Sequence, residues 1–383
     1  MEKRAPFVFG KLATEEAFTN RTEELNYLLQ NFQSGINTIL ISPRRWGKSS
    51  LVLKATEKIE SRKIRTCSFD MFNTRSQEEF YEQLSQSVIS ATSGKISEFV
   101  ENTKEYIGKF IPKINLANEA NQEISLSLDW EEIRKDPTDI LNLAEKIAAR
   151  KNIKIIICID EFQNIGNFEH AVDFQKKLRA AWQRHKHVTY CLYGSKRHMM
   201  MDVFTKPSMP FYKFGDLMFL EKIKIQDWKK FIVKQFADTQ KKISPELAGK
   251  IAELCECHPY YTQQLAQQTW LRTKGTCNLQ NILSAHESIS QQLSLLFQMI
   301  TDDLTTTHVN FLKAVIENQQ QLSSKKTIDQ YRLGTSANVI RIRKALMDKE
   351  IIDDMGKGLF LLDPMYAYWL KTVYFRIHPP HPM

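Results

Sequence analysis

No apolar run in this 383-residue chain approaches the roughly 20 residues that a membrane-crossing helix needs. The opening MEKRAPFVFGKL also lacks an apolar core long enough for a secretory signal. Cysteine is sparse. The six stand at 67, 158, 191, 255, 257 and 277, without the spacing of a disulfide framework. Cys158 and Cys191 fall inside apolar, strand-like runs, where a reduced thiol behaves as a small core residue. Cys255-x-Cys257-His258 offers half of a zinc site, but no second ligand pair follows at finger spacing. These absences lead us to expect a cytoplasmic protein with no membrane partner. Glycine is scarce too: 13 residues, about half of the usual ~7% share, so each remaining one carries weight.

What is present is a globular composition, 42% hydrophobic and 25% charged, in a chain long enough for two or three domains. The net charge of +9 permits an acidic partner such as nucleic acid. One of the scarce glycines anchors the most telling stretch, INTILISPRRWGKSSLVL (36–53). An apolar run breaks at Ser42-Pro43, passes Arg44, Arg45 and Trp46, meets Gly47-Lys48-Ser49, and continues through Ser50 into a helix-like Leu51-Val52-Leu53. Strand, loop, Gly-Lys-Ser, helix is the order of a phosphate-binding P-loop, whose amides and helix N-terminus point at an anion. Lys48 would reach the β- and γ-phosphates, and the Ser49 hydroxyl would ligate Mg²⁺. The pattern normally opens on glycine, and here that place holds Ser42. A plain helix N-cap after a turn is the alternative.

A second stretch, IKIIICIDEFQ (153–163), weighs against that alternative. Its continuous β-branched run predicts a strand buried on both faces, hence central in a parallel sheet. The strand ends in Asp160-Glu161, at the carboxyl edge where such sheets bind ligands. Asp160 suits the Mg²⁺ shell, and Glu161 suits a base that orients or deprotonates water.

The remaining segments sort themselves by period. Residues 14–35 become amphipathic, with Leu25, Leu28, Leu29 and Phe32 at helical spacing and Asn20 as the N-cap. Phe18 through Arg21 either pack near a nucleotide base or lie on the surface. A second strand is expected over 64–71, a helix over 76–90, a helix from Ile96 to Phe110, then a loop and an edge strand over 124–128. Helices are expected at 140–150 and 170–182, and strands at 187–194 and 217–220. Ser195, at the end of the strand beside the Asp160 strand, is the candidate to face the γ-phosphate, and a helix N-cap is an equally good reading compatible with it. Arg45 and Arg197 either supply positive charge to a transition state or are simply solvated. From Ile225 the pattern turns helical: 228–236, 245–255, 260–272 and 279–299, with His258-Pro259 opening one helix. From about 305, three helices and two short strands spell a winged helix-turn-helix. In its third helix Val339, Ile342 and Leu346 face inward, while Arg341 and Lys344 lie opposite as candidate DNA contacts. Asp348, Asp353 and Asp354 keep that surface from being cleanly basic, so DNA and protein both stay open as partners. The expected boundaries are 1–224, 225–302 and 303–376, with a tail at 377–383.

Together these residues resemble the archaeal and bacterial ATPases of the STAND branch of AAA+ P-loop proteins. The likeness lies in Phe18-Thr-Asn-Arg21-Thr-Glu23-Glu24-Leu25, Pro43-Arg44-Arg45-x-Gly47-Lys48-Ser49 and Asp160-Glu161-Phe162-Gln163. It continues in Gly194-Ser195, Cys257-His258-Pro259 and Asp363-Pro364-Met365-Tyr366…Trp369. The resemblance implies a parallel-sheet ATPase core, a helical lid and a C-terminal winged helix. It implies ATP and Mg²⁺ as ligands, with Pro43 to Ser50, Phe18, Arg21, His258 and Pro259 around the nucleotide. It further implies Ser49 and Asp160 at the metal, and Glu161, Lys48 and Ser195 in catalysis. Members of that branch are regarded as ATP-driven switches, which implies slow hydrolysis; a DNA or protein partner at the winged helix and a nucleotide-dependent homo-oligomer are the partners open to this chain. Three departures stand out. Ser42 and Cys257 replace glycines, and Tyr212-Lys213-Phe214 stands where a Gly-Arg pair is common.

Overall fold

The computed structural model describes residues 5–12, 21–93, 110–115, 123–128, 136–354 and 358–377. The chain divides into two compact units: Arg21–Arg44 with Lys48–Glu221, and Arg45–Gly47 with the N-terminal residues and everything from Lys222.

The first unit opens with helix α1 (Thr22–Ser34), strand β1 (Thr38–Ile41), helix α2 (Lys48–Ile59), strand β2 (Ile64–Asp70) and helix α3 (Gln77–Thr92). A two-stranded antiparallel hairpin follows, β3 (Phe110–Asn115) with β4 (Glu123–Leu128). Helices α4 (Thr138–Leu141) and α5 (Leu143–Lys151) lead to β5 (Lys154–Asp160), α6 (Ala171–Trp182), β6 (Val188–Gly194), α7 (Arg197–Thr205) and β7 (Asp216–Phe219). Five strands form one parallel sheet in the order β2-β5-β6-β1-β7. Ile155 to Ile159 are all buried and so is every residue of β6, as strands covered on both faces require. A cluster of rings packs against this sheet; Trp182 stacks on Tyr190 at 4.1 Å, and Phe162 meets Phe211 edge-on at 5.5 Å.

Three expectations need correction here. Phe110–Asn115, expected as the end of a helix and a loop, is strand β3, paired residue for residue from Phe110↔Leu128 to Asn115↔Glu123. A strand's identity in such a segment comes from its partner, which local spacing does not reveal. The single helix expected at 140–150 is instead broken at Asn142, whose side-chain amide donates to Thr138 O at 2.8 Å. Asparagine offers its own backbone an alternative to the helical ladder, and the helix restarts beyond it. The N-cap of α1 is Arg21, with no side-chain capping bond, and not the expected Asn20, because the first helical turn closes on the Arg21 carbonyl, which accepts from Leu25 N at 2.8 Å. Residues 94–109, the expected loop at 116–122, the wing turn at 355–357 and the tail from 378 lie outside the described residues.

His185 gives this unit a pH dependence. Burial first, with Arg184 adding to it against Glu145, lowers its imidazole to about 4, where it bonds Tyr190 Oη at 2.9 Å and Asn142 Oδ1 at 3.2 Å. Between pH 6.5 and 4 the unfolded chain binds a proton here that the folded unit does not. Stability is therefore complete above that window and falls as pH drops through it, by at most about 3 kcal/mol. Urea titrations at pH 7 and 4.5 should show the loss, and His185→Gln should reduce it.

The second unit contains α8 (Ile225–Asp238), α9 (Pro245–Leu254), α10 (Pro259–Arg272) and α11 (Leu279–Asp302). After these come α12 (Thr306–Ile316), α13 (Lys325–Tyr331), α14 (Ser336–Asp348), the antiparallel pair β8 (Ile352–Asp354) and β9 (Leu359–Leu361), and α15 (Pro364–Trp369). One hydrophobic cluster runs from Trp228 and Phe236 through Phe297 and Leu312 to Leu346 and Trp369. The short α15 is a helix that periodicity alone misses. Asp363 caps it by accepting from Met365 N at 2.9 Å and Tyr366 N at 3.0 Å, Pro364 takes the first turn, and Tyr261 Oη also donates to Asp363. Among the described residues no helix is long and apolar enough to cross a membrane.

Candidate nucleotide site

Three chain segments of the first unit converge at the carboxyl edge of its sheet. β1 leads through Ser42 and Pro43 toward α2, β5 ends in Asp160, and β6 ends in Gly194-Ser195. Ser42, in place of the usual first glycine, keeps a negative φ. Its N–H donates to Gly194 O at 3.3 Å, and its hydroxyl donates to Pro43 O at 3.2 Å. The position makes no demand that only glycine meets. The left-handed backbone comes later, at Arg45 (φ 64) and Gly47 (φ 93), the kind of conformation from which anion-binding nests of amides are built. Helix α2 then starts at Lys48 with no acidic residue in its first turn, so its N-terminus is free to favour an anion.

Lys48 is buried, and its ammonium stands 3.4 Å from Glu161 Oε1. The Ser49 hydroxyl donates to Asp160 Oδ2 at 2.8 Å, while Asp160 Oδ1 accepts the Glu161 amide at 2.8 Å. Burial, partly countered by Lys48 and Ser49, pushes the Asp160 carboxyl up to about 6. Burial acts on Glu161 in the same sense, but Lys48 and the donors from Gln163 and Ser195 outweigh it and hold that carboxyl below its ordinary value. Ser195 is thus not the helix cap that the sequence left open. Its hydroxyl donates to Glu161 Oε2 at 2.8 Å and its N–H to the same oxygen at 3.3 Å, while the residue before α7 is Lys196. Arg44 reaches Ser195 Oγ from its Nε at 3.4 Å. Ser50 is buried in the first turn of α2.

A magnesium nucleotide fits this chemistry. Mg²⁺ takes hard oxygen ligands, usually one or two from protein and the rest from phosphate and water. Ser49 and Asp160 supply a hydroxyl and a carboxylate already in register. Among the described residues no group of three or more His, Cys, Asp or Glu could hold a metal by itself.

Other expected site residues fall elsewhere. Arg21 is buried and ion-paired to Glu24 at 2.8 Å, and burial lowers its guanidinium. Phe18 lies outside the described residues. His258 and Pro259 belong to the second unit, with Trp46 and Arg45. The His258 ring stands 6.4 Å from that of Trp46, and Arg45 lies over Tyr260 at 4.5 Å. His258 is buried with Nδ1 lacking a partner among the described residues, and burial lowers it to about 3. Cys257, where glycine was expected, takes φ 56, the left-handed region that glycine enters without strain. Arg341 and Lys344 are exposed on α14 while Val339, Ile342 and Leu346 are buried beneath them. Arg343 on the same helix is tied to Asp354 at 2.6 Å, a partner that the sequence reading did not assign. Gln163, two residues past Glu161, was read only as part of a motif. The signal available for it was the bare Gly194 that makes room for its amide.

A parallel sheet in the order β2-β5-β6-β1-β7, bearing such a loop and followed by a winged helix, is the fold of AAA+-like P-loop ATPases. The family described as "ATPase domain predominantly from Archaea" matches residues 18–265, and the chain belongs to it. The family described as "Probable winged helix domain" matches residues 295–372. Among solved structures, a Walker-type ATPase of Pyrococcus abyssi is similar at TM-score 0.65 and 16% identity, over 94% of this chain and 98% of that one. The ORC2 protein of Aeropyrum pernix, solved as ADPNP–ADP complexes, is similar at TM-score 0.58 and 14% identity, over 98% of each chain. At such identity the likeness is one of fold. No curated protein matches the chain in sequence.

Proposed function

We propose that the protein is a switch ATPase of the STAND type, binding ATP with Mg²⁺ and hydrolysing it slowly to change its domain arrangement and partner binding. The observation that carries this reading is the meeting of Lys48, Ser49, Asp160, Glu161 and Ser195 within one unit. Lys48 and the backbone N–H groups from Arg45 to Ser49 hold the phosphates. Ser49 and Asp160 would hold Mg²⁺, which neutralises charge on the β- and γ-oxygens. Glu161 takes the proton of the attacking water, and Ser195 steadies it. Phe18 and Arg21 are assigned to the adenine side, and His258 with Pro259 to reading the nucleotide state. The His258–Trp46 contact favours that last role, because Trp46 belongs to the loop itself. Nucleotide-dependent self-association of the chain belongs to the same reading. A change of arrangement requires that ATP and ADP bind two conformations with different affinity. Limited proteolysis with ATP, ADP and no nucleotide tests the switch; three identical digestion patterns would contradict it.

A second reading, an ATP-liganded DNA-binding protein, is favoured by the exposed Arg341 and Lys344 above a buried seam. Its expected result is salt-sensitive binding to duplex DNA, with affinity falling at least tenfold between about 50 and 200 mM salt. Arg341→Ala with Lys344→Ala should lower both the affinity and its salt slope. Binding unchanged in this double variant removes α14 as the DNA-contacting surface.

A further inference from the structure

Four donors meet the Glu161 carboxylate, and its two oxygens share them unequally. Oε2 accepts from the Gln163 side-chain amide, from the Ser195 hydroxyl at 2.8 Å and from the Ser195 N–H at 3.3 Å. Oε1 faces the Lys48 ammonium at 3.4 Å. We infer that Gln163 is a positioning residue: with Ser195 it pins Oε2, so that Oε1 is the atom that receives the proton of the attacking water. This rests on the reading of Glu161 as the base. In the step, the water oxygen bonds the γ-phosphorus, the bridging P–O bond breaks with its electron pair leaving on ADP, and the water proton passes to Oε1. Lys48 must first turn from Oε1 to the phosphates, which makes nucleotide binding itself the event that frees the base.

The seating of Gln163 supports a role as donor. The residue is 1% exposed, and its own amide oxygen has no hydrogen-bond partner among the described residues. That oxygen lies against Gly194, where a Cβ would come within 1.9 Å of it. Reversing the amide would set its oxygen against a carboxylate oxygen, so the orientation follows from electrostatics. Space was left at Gly194, and an acceptor was left unpartnered, with the NH₂ group on Glu161.

The test uses the full chain, with ATP hydrolysis and ATP binding measured separately. Gln163→Met removes the donor at similar length, and kcat is expected to fall about 10- to 100-fold with ATP affinity unchanged. Gly194→Ala, which displaces the amide while keeping it, should lower kcat in the same way. In a Glu161→Gln background Gln163→Met should change the residual rate no further, whereas a general structural role would lower it again. Wild-type kcat in Gln163→Met, or a further loss in the Glu161→Gln background, overturns the inference. If Glu161→Gln alone turns over at the wild-type rate, the base assignment is gone and the positioning role with it. An inactive Glu161→Gln beside a fully active Gln163→Met removes only the role of Gln163.

Discussion

Glu161→Gln is expected to bind ATP as the wild type does and to release phosphate about 10²- to 10⁴-fold more slowly. The amide keeps the size of the side chain and can still meet Ser195, but it cannot accept a proton at neutral pH. In the folded unit Glu161 is nearly buried, beside Lys48 and adjacent to Asp160, so no exposed carboxylate stands ready to replace it at that position. Asp160 is committed to Ser49 and to the Glu161 amide. Single-turnover phosphate release with labelled ATP separates the two outcomes. Hydrolysis at the wild-type rate would mean that the proton goes elsewhere.

Lys48→Ala should lower ATP affinity at least 100-fold and should also destabilise the first unit. The first effect follows from removing the only side-chain ammonium that the loop presents from the start of α2. The second follows from burial. Lys48 is 6% exposed and is the cation facing Glu161, so truncation leaves a nearly buried carboxylate without its counter-charge. Breaking such a pair costs about 3–5 kcal/mol when nothing else supports the charge left behind. Ser195 and Gln163 still donate to that carboxylate, which brings the expected loss down to about 1–3 kcal/mol. Urea denaturation without nucleotide reads this cost apart from binding. An Ala variant as stable as the wild type would show that the pair contributes nothing to the folded unit.

The parts of the site that could be read from sequence are those whose signal is local. Gly47-Lys48-Ser49 after a short apolar run, and Asp160-Glu161 after a long one, each declare a strand end and a polar group. The sheet order then brings the two ends within hydrogen-bond reach. The winged helix was legible for a similar reason: Thr335 caps α14, and Val339, Ile342 and Leu346 recur on one face. What escaped depends on partners distant in the chain. Phe110–Asn115 is a strand because Glu123–Leu128 lies beside it. Ser195 could equally have capped a helix, and only the fold sets it on Glu161, 34 residues away. Nor does the sequence show where the loop takes positive φ, which falls on Arg45 and Gly47 and not on Ser42. The Arg343–Asp354 pair at 2.6 Å likewise joins α14 to β8 and has no local signal in the sequence.

A crystal soaked with Mn²⁺ and a non-hydrolysable ATP analogue would test most directly whether one metal-bound triphosphate joins these strand ends. Anomalous scattering should place a single ion against Ser49 Oγ and the Asp160 carboxylate, with the γ-phosphate at Lys48 Nζ and Glu161 turned free of it. An ion bound away from Ser49 and Asp160, or phosphates lying off the start of α2, would contradict the account.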